Sequence, residues 1–355
     1  MSNYKELDEA LALVETLATT EQIQALLRTR KGDKNVRIGA ENKNAVVFRN
    51  LREAVEKRAI DIESVFNLIR DSEENGNQHI FYYKPKSRAI ATALSFENIA
   101  PQLFGSRWEK KLEDDFPQIK LKPNDFKTSD FRRLQKKPQD WILKIYGQTT
   151  IEKLTAEQEL EGTTALWRKF NYEELRIVLM ARWNSPDLLE VRVQRDSSRR
   201  RVEGWHNIVW ETLKPHIIRG QFDAWGLSNG MKNLMSKHAG NEKIYNFRDA
   251  KVIDTDIHVT FQAYSDIGTL FEREATSDSL QGYLDAKSEW DGITVTWLPQ
   301  TNNIPVKETR TFLGVKQSMD MQKRVGSQSN EVIVQAHCSA EDLDYVTGQL
   351  RQFNK

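Results

Sequence analysis

Asp254, Asp256 and His258 stand at every second position of the run Asp254-Thr255-Asp256-Ile257-His258. On an extended strand this alternation sets all three on one face, with Ile253, Ile257, Val259 and Phe261 turned to a core. Two carboxylates and an imidazole on one face are the ligand types of a divalent metal, which could drive phosphodiester hydrolysis. Thr260 and Gln262 continue the same polar row, so the wet face of an amphipathic strand explains the pattern more simply. A metal-dependent hydrolase acting on nucleic acid is therefore the alternative reading, and the principal one requires no cofactor.

Clustered cations suggest a second chemistry. Arg28, Arg30, Lys31, Lys34, Arg37 and Lys43 fall in a predicted loop and the start of the helix after it. Lysines and arginines so placed neutralise phosphates without reading sequence. Arg192 and Arg195 precede Arg199, Arg200 and Arg201, which occupy the first turn of another predicted helix. Cations there oppose the helix macrodipole. A bound anion would reverse that penalty, because free backbone N–H groups and guanidinium groups would act on it together. Asp187, Glu190 and Asp196 offer ordinary ion pairing instead. Between these clusters, Phe126, Phe131 and Trp141 interleave with Lys127, Arg132, Arg133, Lys136 and Lys137. That mixture suits base stacking along a single strand, or the core of a strand pair.

The formal net charge is only +1, but it is unevenly spread. Residues 28–58 carry ten Lys and Arg against four Asp and Glu, residues 120–137 seven against two, and residues 192–201 five against one. Residues 249–291 reverse the balance, with ten acids against three bases. A basic front fits DNA or RNA, and an acidic rear fits a basic protein partner. Attraction between front and rear within one molecule is the other outcome.

Composition excludes several classes. Cys338 is the single cysteine, so neither an intramolecular disulfide framework nor a Cys-rich zinc module is available. Residues 1–10 include Lys5, Glu6, Asp8 and Glu9 and hold no apolar run of signal-peptide length, and no later stretch approaches a spanning helix. The expected compartment is the cytoplasm, without membrane contact. Gly32, Gly39, Gly76 and Gly105 stand singly, so no glycine-rich phosphate loop is present.

At 355 residues the chain exceeds one ordinary domain. Helical spacing links Leu7, Leu11, Val14 and Leu17, then Ile23, Leu26 and Leu27, then Ala45, Phe48, Leu51 and Val55, and finally Ile62, Val65, Phe66 and Ile69. Asn75-Gly76 ends this series. Strand patterns follow at 80–83, 141–146, 175–183 and 188–195, the last two joined by the turn Asn184-Ser185-Pro186-Asp187. A helix bearing Val202, Trp205, Val209 and Leu213 ends at Pro215. Strands recur at 251–264, 293–298 and 332–336, and a helix at 340–353 carries Leu343, Val346 and Leu350. The expected fold is α+β: a small basic helical domain (1–76), then a mixed, mostly antiparallel, strand-rich body with packed helices. That body divides into an α+β part with basic strands and the arginine cluster (77–220) and one with an acidic surface (221–355). The function this organisation predicts is nucleic-acid binding through the basic front, with a protein partner at the rear. A structural subunit of a complex is a further alternative.

Overall fold

A computed structural model of the chain describes residues 2–38, 44–105, 125–134, 137–159, 166–196, 198–238, 240–254, 257–263, 270–271, 274–285, 289–298, 300–301, 304–305, 309–314 and 330–355. The protein is α+β, and every strand pairing among the described residues is antiparallel.

Four helices build the head: α1 (Ser2–Leu17), α2 (Thr20–Arg28), α3 (Asn44–Glu56) and α4 (Ile62–Glu74). The Thr19 hydroxyl accepts from the Gln22 N–H, and the Gln22 side chain accepts from the Thr19 N–H, so α2 starts on a reciprocal cap. Asp61 accepts the Ser64 N–H and starts α4. Leu11, Val14, Leu27, Leu51, Val65 and Ile69 form the centre of the head's own core. The third helix presents Val47, Leu51 and Ala54 inward, whereas Ala45 is exposed and Phe48 half-buried. Its apolar start, Ala45 to Phe48, allows two adjacent stripes, and packing selects the one that sequence spacing does not single out.

Among the described residues, the body is one sheet of eleven strands. Its central strand, β1 (Gly76–Pro85), is followed by the short helices α5 (Arg88–Ala93) and α6 (Phe96–Phe104). Then come β2 (Phe126–Leu134), β3 (Lys137–Glu159), β4 (Leu166–Asn184), β5 (Leu188–Gln194), α7 (Arg199–Leu213), β6 (Phe222–Ala224) and α8 (Ser228–Ser236). The rear half contains β7 (Tyr245–Asp254), β8 (Ile257–Gln262), α9 (Glu274–Asp285), β9 (Glu289–Trp297), β12 (Thr309–Gly314), β13 (Glu331–His337) and α10 (Ala340–Phe353), with β10 (Gln300–Thr301) and β11 (Ile304–Pro305) as a separate small pair. The sheet order is β2-β3-β4-β5-β1-β13-β12-β9-β7-β8, with β6 also on β1.

The apolar run His79 to Tyr83 is explained by this central place. Ile80 and Tyr82 enter the core of the rear half, with α8 and α10, while Phe81 and Tyr83 enter the core of the front half, with α6 and α7. Alternation puts these two cores on opposite faces of one sheet. Both cores draw on either side of residue 220, since Ile80, Tyr82 and Leu188 join the rear one and Phe222 the front one, and the sheet runs through both. Among the described residues, no helix is long and apolar enough to cross a membrane.

Two strand expectations change. Residues 251–264 are not one strand: β7 ends at Asp254, β8 begins at Ile257, and these two residues face each other across a hairpin. The strands expected at 141–146 and 175–183 are parts of β3 and β4, which extend far beyond them as a paired ribbon.

Candidate nucleic-acid interface

The last turn of α2 leads directly into a compact cationic loop. The N–H groups of Arg30, Lys31, Asp33 and Val36 donate to the carbonyls of Leu27, Arg28, Arg30 and Asp33, respectively. Gly32 turns the chain at φ +102°, a left-handed conformation that side chains resist. Val36 and Ile38 then pack against the core of the head. With both ends anchored, the loop presents Arg28, Arg30, Lys31, Lys34 and Arg37, all exposed. Within residues 28–38 the only acid is Asp33. Arg30 approaches Asp61 at 3.8 Å, with both side chains more than half exposed, a contact that water largely screens. Lys43 lies outside the described residues.

The body cations divide differently. Arg192 is 1 % exposed, places two N–H groups on Glu190 at 2.9 and 2.5 Å and donates to the Glu74 carbonyl at 3.0 Å. Arg132 pairs with Glu74 and Asp130. The expectation of phosphate contact is corrected for both: their charges are spent inside the fold. Lys137 lies 3.3 Å from Asp344. Arg133 pairs with Glu97 and sits 4.9 Å over the Phe96 ring. Arg201 grips Asp196 at 3.0 and 2.8 Å, and Asp196 also accepts the Ser198 N–H. The anion expected at the start of α7 is therefore already supplied, by Asp196. Arg195 and Arg200 are exposed and form no ion pair among the described residues. Lys136 and the side chain of Arg199 lie outside those residues.

Base stacking by Phe131 and Trp141 is also corrected. They are 1 % and 0 % exposed, and Phe131 stacks on Phe96 at 5.2 Å between ring centres. Both are core residues of the front half.

What the sequence did not disclose is the use made of the basic strands. The last turn of α4 lays Glu73 and Glu74 on the sheet, where Glu73 meets Lys144, Tyr146 and Arg176, and Glu74 meets Lys144 and Arg132. On α10, Asp344 pairs with Arg182. Burial works against ionised Glu74, but Lys144 and Arg132 outweigh it and hold the carboxyl at about 2. Glu190 is likewise held at about 2, with Arg192 and Arg182 overcoming its burial. Paired charges of this kind fix how head, sheet and last helix fit together, because any other docking strands a buried ion. The signal was a cation within an apolar strand, as in Trp141-Ile142-Leu143-Lys144-Ile145-Tyr146.

The metal arrangement is corrected too. Asp254 faces Ile257 and His258 faces Ile253 across the hairpin, and facing residues share a side of the sheet. Asp254 and His258 therefore lie on opposite faces. Asp256 is outside the described residues, among which no group of three His, Cys, Asp or Glu side chains could hold a metal.

A cleft of about 640 Å³ separates α2 and α4 from the start of α10, lined by Glu21, Leu26, Leu68, Asp71, Asp342 and others. Burial and the nearby Glu74 push the Asp71 carboxyl up. Most of its lining is apolar or uncharged, and Asp342 is engaged by the Ser339 N–H at the start of α10. The chain matches no protein-family model and no curated protein.

Proposed function

We propose that this protein binds DNA or RNA through the phosphate backbone, with the exposed loop Arg28–Arg37 of its helical head as the principal contact. The observation that carries this reading is the loop itself: Arg28, Arg30, Lys31, Lys34 and Arg37 are exposed on a short, anchored segment with one acid among them. Phosphate contact by such side chains releases counterions and is insensitive to base sequence. Arg195 and Arg200 are secondary contacts. The acidic balance of residues 249–291 suits a basic protein partner. A single cysteine, Cys338, buried in the fold, suits the cytoplasm.

A second reading, a structural subunit of a larger complex, is favoured by one observation: acids of α4 and α10 neutralise the basic strands within the molecule. Fluorescence anisotropy with labelled single- and double-stranded DNA and RNA separates the two. Binding that falls with salt and is lost when the five loop cations become alanine supports the nucleic-acid reading. Absence of binding at low salt leaves the structural subunit.

A further inference from the structure

The two longest strands form an arm. Pairing of β3 with β4 runs from Trp141 and Trp183 to Glu159 and Leu166. On the outer side, β2 follows β3 only as far as Phe126 and Gly147. On the other side, β5 covers β4 only between Leu179 and Asn184. From Gln148 on β3, and back from Val178 on β4, neither outer edge is paired with a described strand. At about 3.3 Å per residue, Leu166 to Val178 spans roughly 40 Å. A two-stranded ribbon is marginal in water by itself, and its bare edges are templates for another strand. Residues 148–178 contain no proline to blunt them.

The edge of β4 carries its own complement. It reads Arg168-Lys169-Phe170-Asn171-Tyr172-Glu173-Glu174. Two copies laid antiparallel about Asn171 put Arg168 opposite Glu174, Lys169 opposite Glu173 and Phe170 opposite Tyr172. Each match occurs twice by symmetry, and opposite charges and aromatic pairs are the favoured cross-strand neighbours. Sliding by two residues sets Lys169 opposite Asn171 and removes both charge matches, so the sequence also fixes the register. Lys169, Asn171, Tyr172 and Glu174 are exposed, Tyr172 at 69 %. The outer edge of β3 has no such symmetry: its charges are Glu152, Lys153, Glu157 and Glu159, three acids to one base, so no register there makes more than one kind of opposite-charge match.

We propose that the chain forms a two-fold symmetric dimer by antiparallel pairing of the β4 edges about Asn171, making a four-stranded ribbon from two arms. Such an isologous contact closes on itself, and so stops at two copies.

The test uses the full chain and two charge-reversed variants, Arg168→Glu with Lys169→Glu, and Glu173→Lys with Glu174→Lys. Sedimentation velocity should show the wild type as a dimer at micromolar concentration. Either variant alone faces like charges across the two-fold and should dimerise roughly 100-fold more weakly. An equimolar mixture restores every opposite-charge pair and should form a mixed dimer with nearly wild-type affinity, which also shows that both variants are folded. A monomeric wild type, a variant that dimerises as the wild type does, or a mixture that stays monomeric would each overturn the proposal.

Discussion

Lys144 is wholly buried, with its ammonium nitrogen 2.7 Å from a Glu74 oxygen and 3.1 Å from a Glu73 oxygen. One lysine in the sheet thus holds two successive carboxylates at the end of α4, where acids oppose the helix macrodipole and need a compensating charge. This contact lies at the centre of the head's docking, with Arg132, Arg176 and Tyr146 around it.

Replacing Lys144 with methionine keeps much of its volume and takes the shared cation from two buried carboxylates, leaving Glu73 to Arg176 and Tyr146 and Glu74 to Arg132. Breaking a buried pair in this way costs roughly 3–5 kcal/mol. Urea unfolding should report that loss, and the double variant with Glu74→Gln should recover part of it. A loss below about 1 kcal/mol, the range of exposed pairs, would show that the contact does not hold the head.

Acid should weaken the fold in a defined window. Glu74 and Glu190 are each held at about 2, against an ordinary 4.5. Both carboxylates ionise more readily in the folded chain, so their contribution is fully present above about 4.5 and is lost as the pH falls toward about 2. The thermal midpoint should fall steeply across that interval. Glu190→Gln should be less stable at neutral pH and show a shallower acid slope; an unchanged slope would contradict the pairing.

Gly147 lies where β2 ends and the arm begins, and the Phe126 ring covers it so closely that a Cβ there would meet ring atoms. Gly147→Ala should displace that ring and destabilise by about 1–3 kcal/mol. In a Phe126→Ala background the same change should cost far less, a coupling that a double-mutant cycle measures.

Magnesium or manganese should leave bound nucleic acid intact, because the β7–β8 register sets Asp254 and His258 on opposite faces of the hairpin. Asp254→Asn and His258→Ala should bind as the wild type does. Metal-dependent cleavage abolished by either change would restore the hydrolase.

Much of the fold was legible where one periodicity dominated. The terminal helix was expected at 340–353 and spans Ala340–Phe353. On α7, all four expected residues, Val202, Trp205, Val209 and Leu213, are buried. The arm was not legible, since residues 151–159 are rich in Glu, Lys, Leu, Ala and Gln, good helix formers, and only pairing with β4 makes them a strand. The hairpin at Asp254 was missed because its polar residues continue the alternation of the strands on either side.

Charge was legible as composition but not as placement. Arg192 and Arg195 are three residues apart and read alike, yet one is 1 % exposed and the other lies on the surface. What separates them is Glu190 and the end of α4, the latter more than a hundred residues away in the chain. No local pattern carries that information.

The salt dependence of nucleic-acid binding tests the central claim most directly. The equilibrium constant of the wild type and of a variant with Arg28, Arg30, Lys31, Lys34 and Arg37 changed to alanine should be measured across a salt series on duplex DNA. Each phosphate neutralised contributes about 0.9 to the slope of log K against log salt, so the variant should bind more weakly on all sequences and lose up to roughly 4 units of slope. Equal slopes for the two proteins, with both folded, would contradict the account.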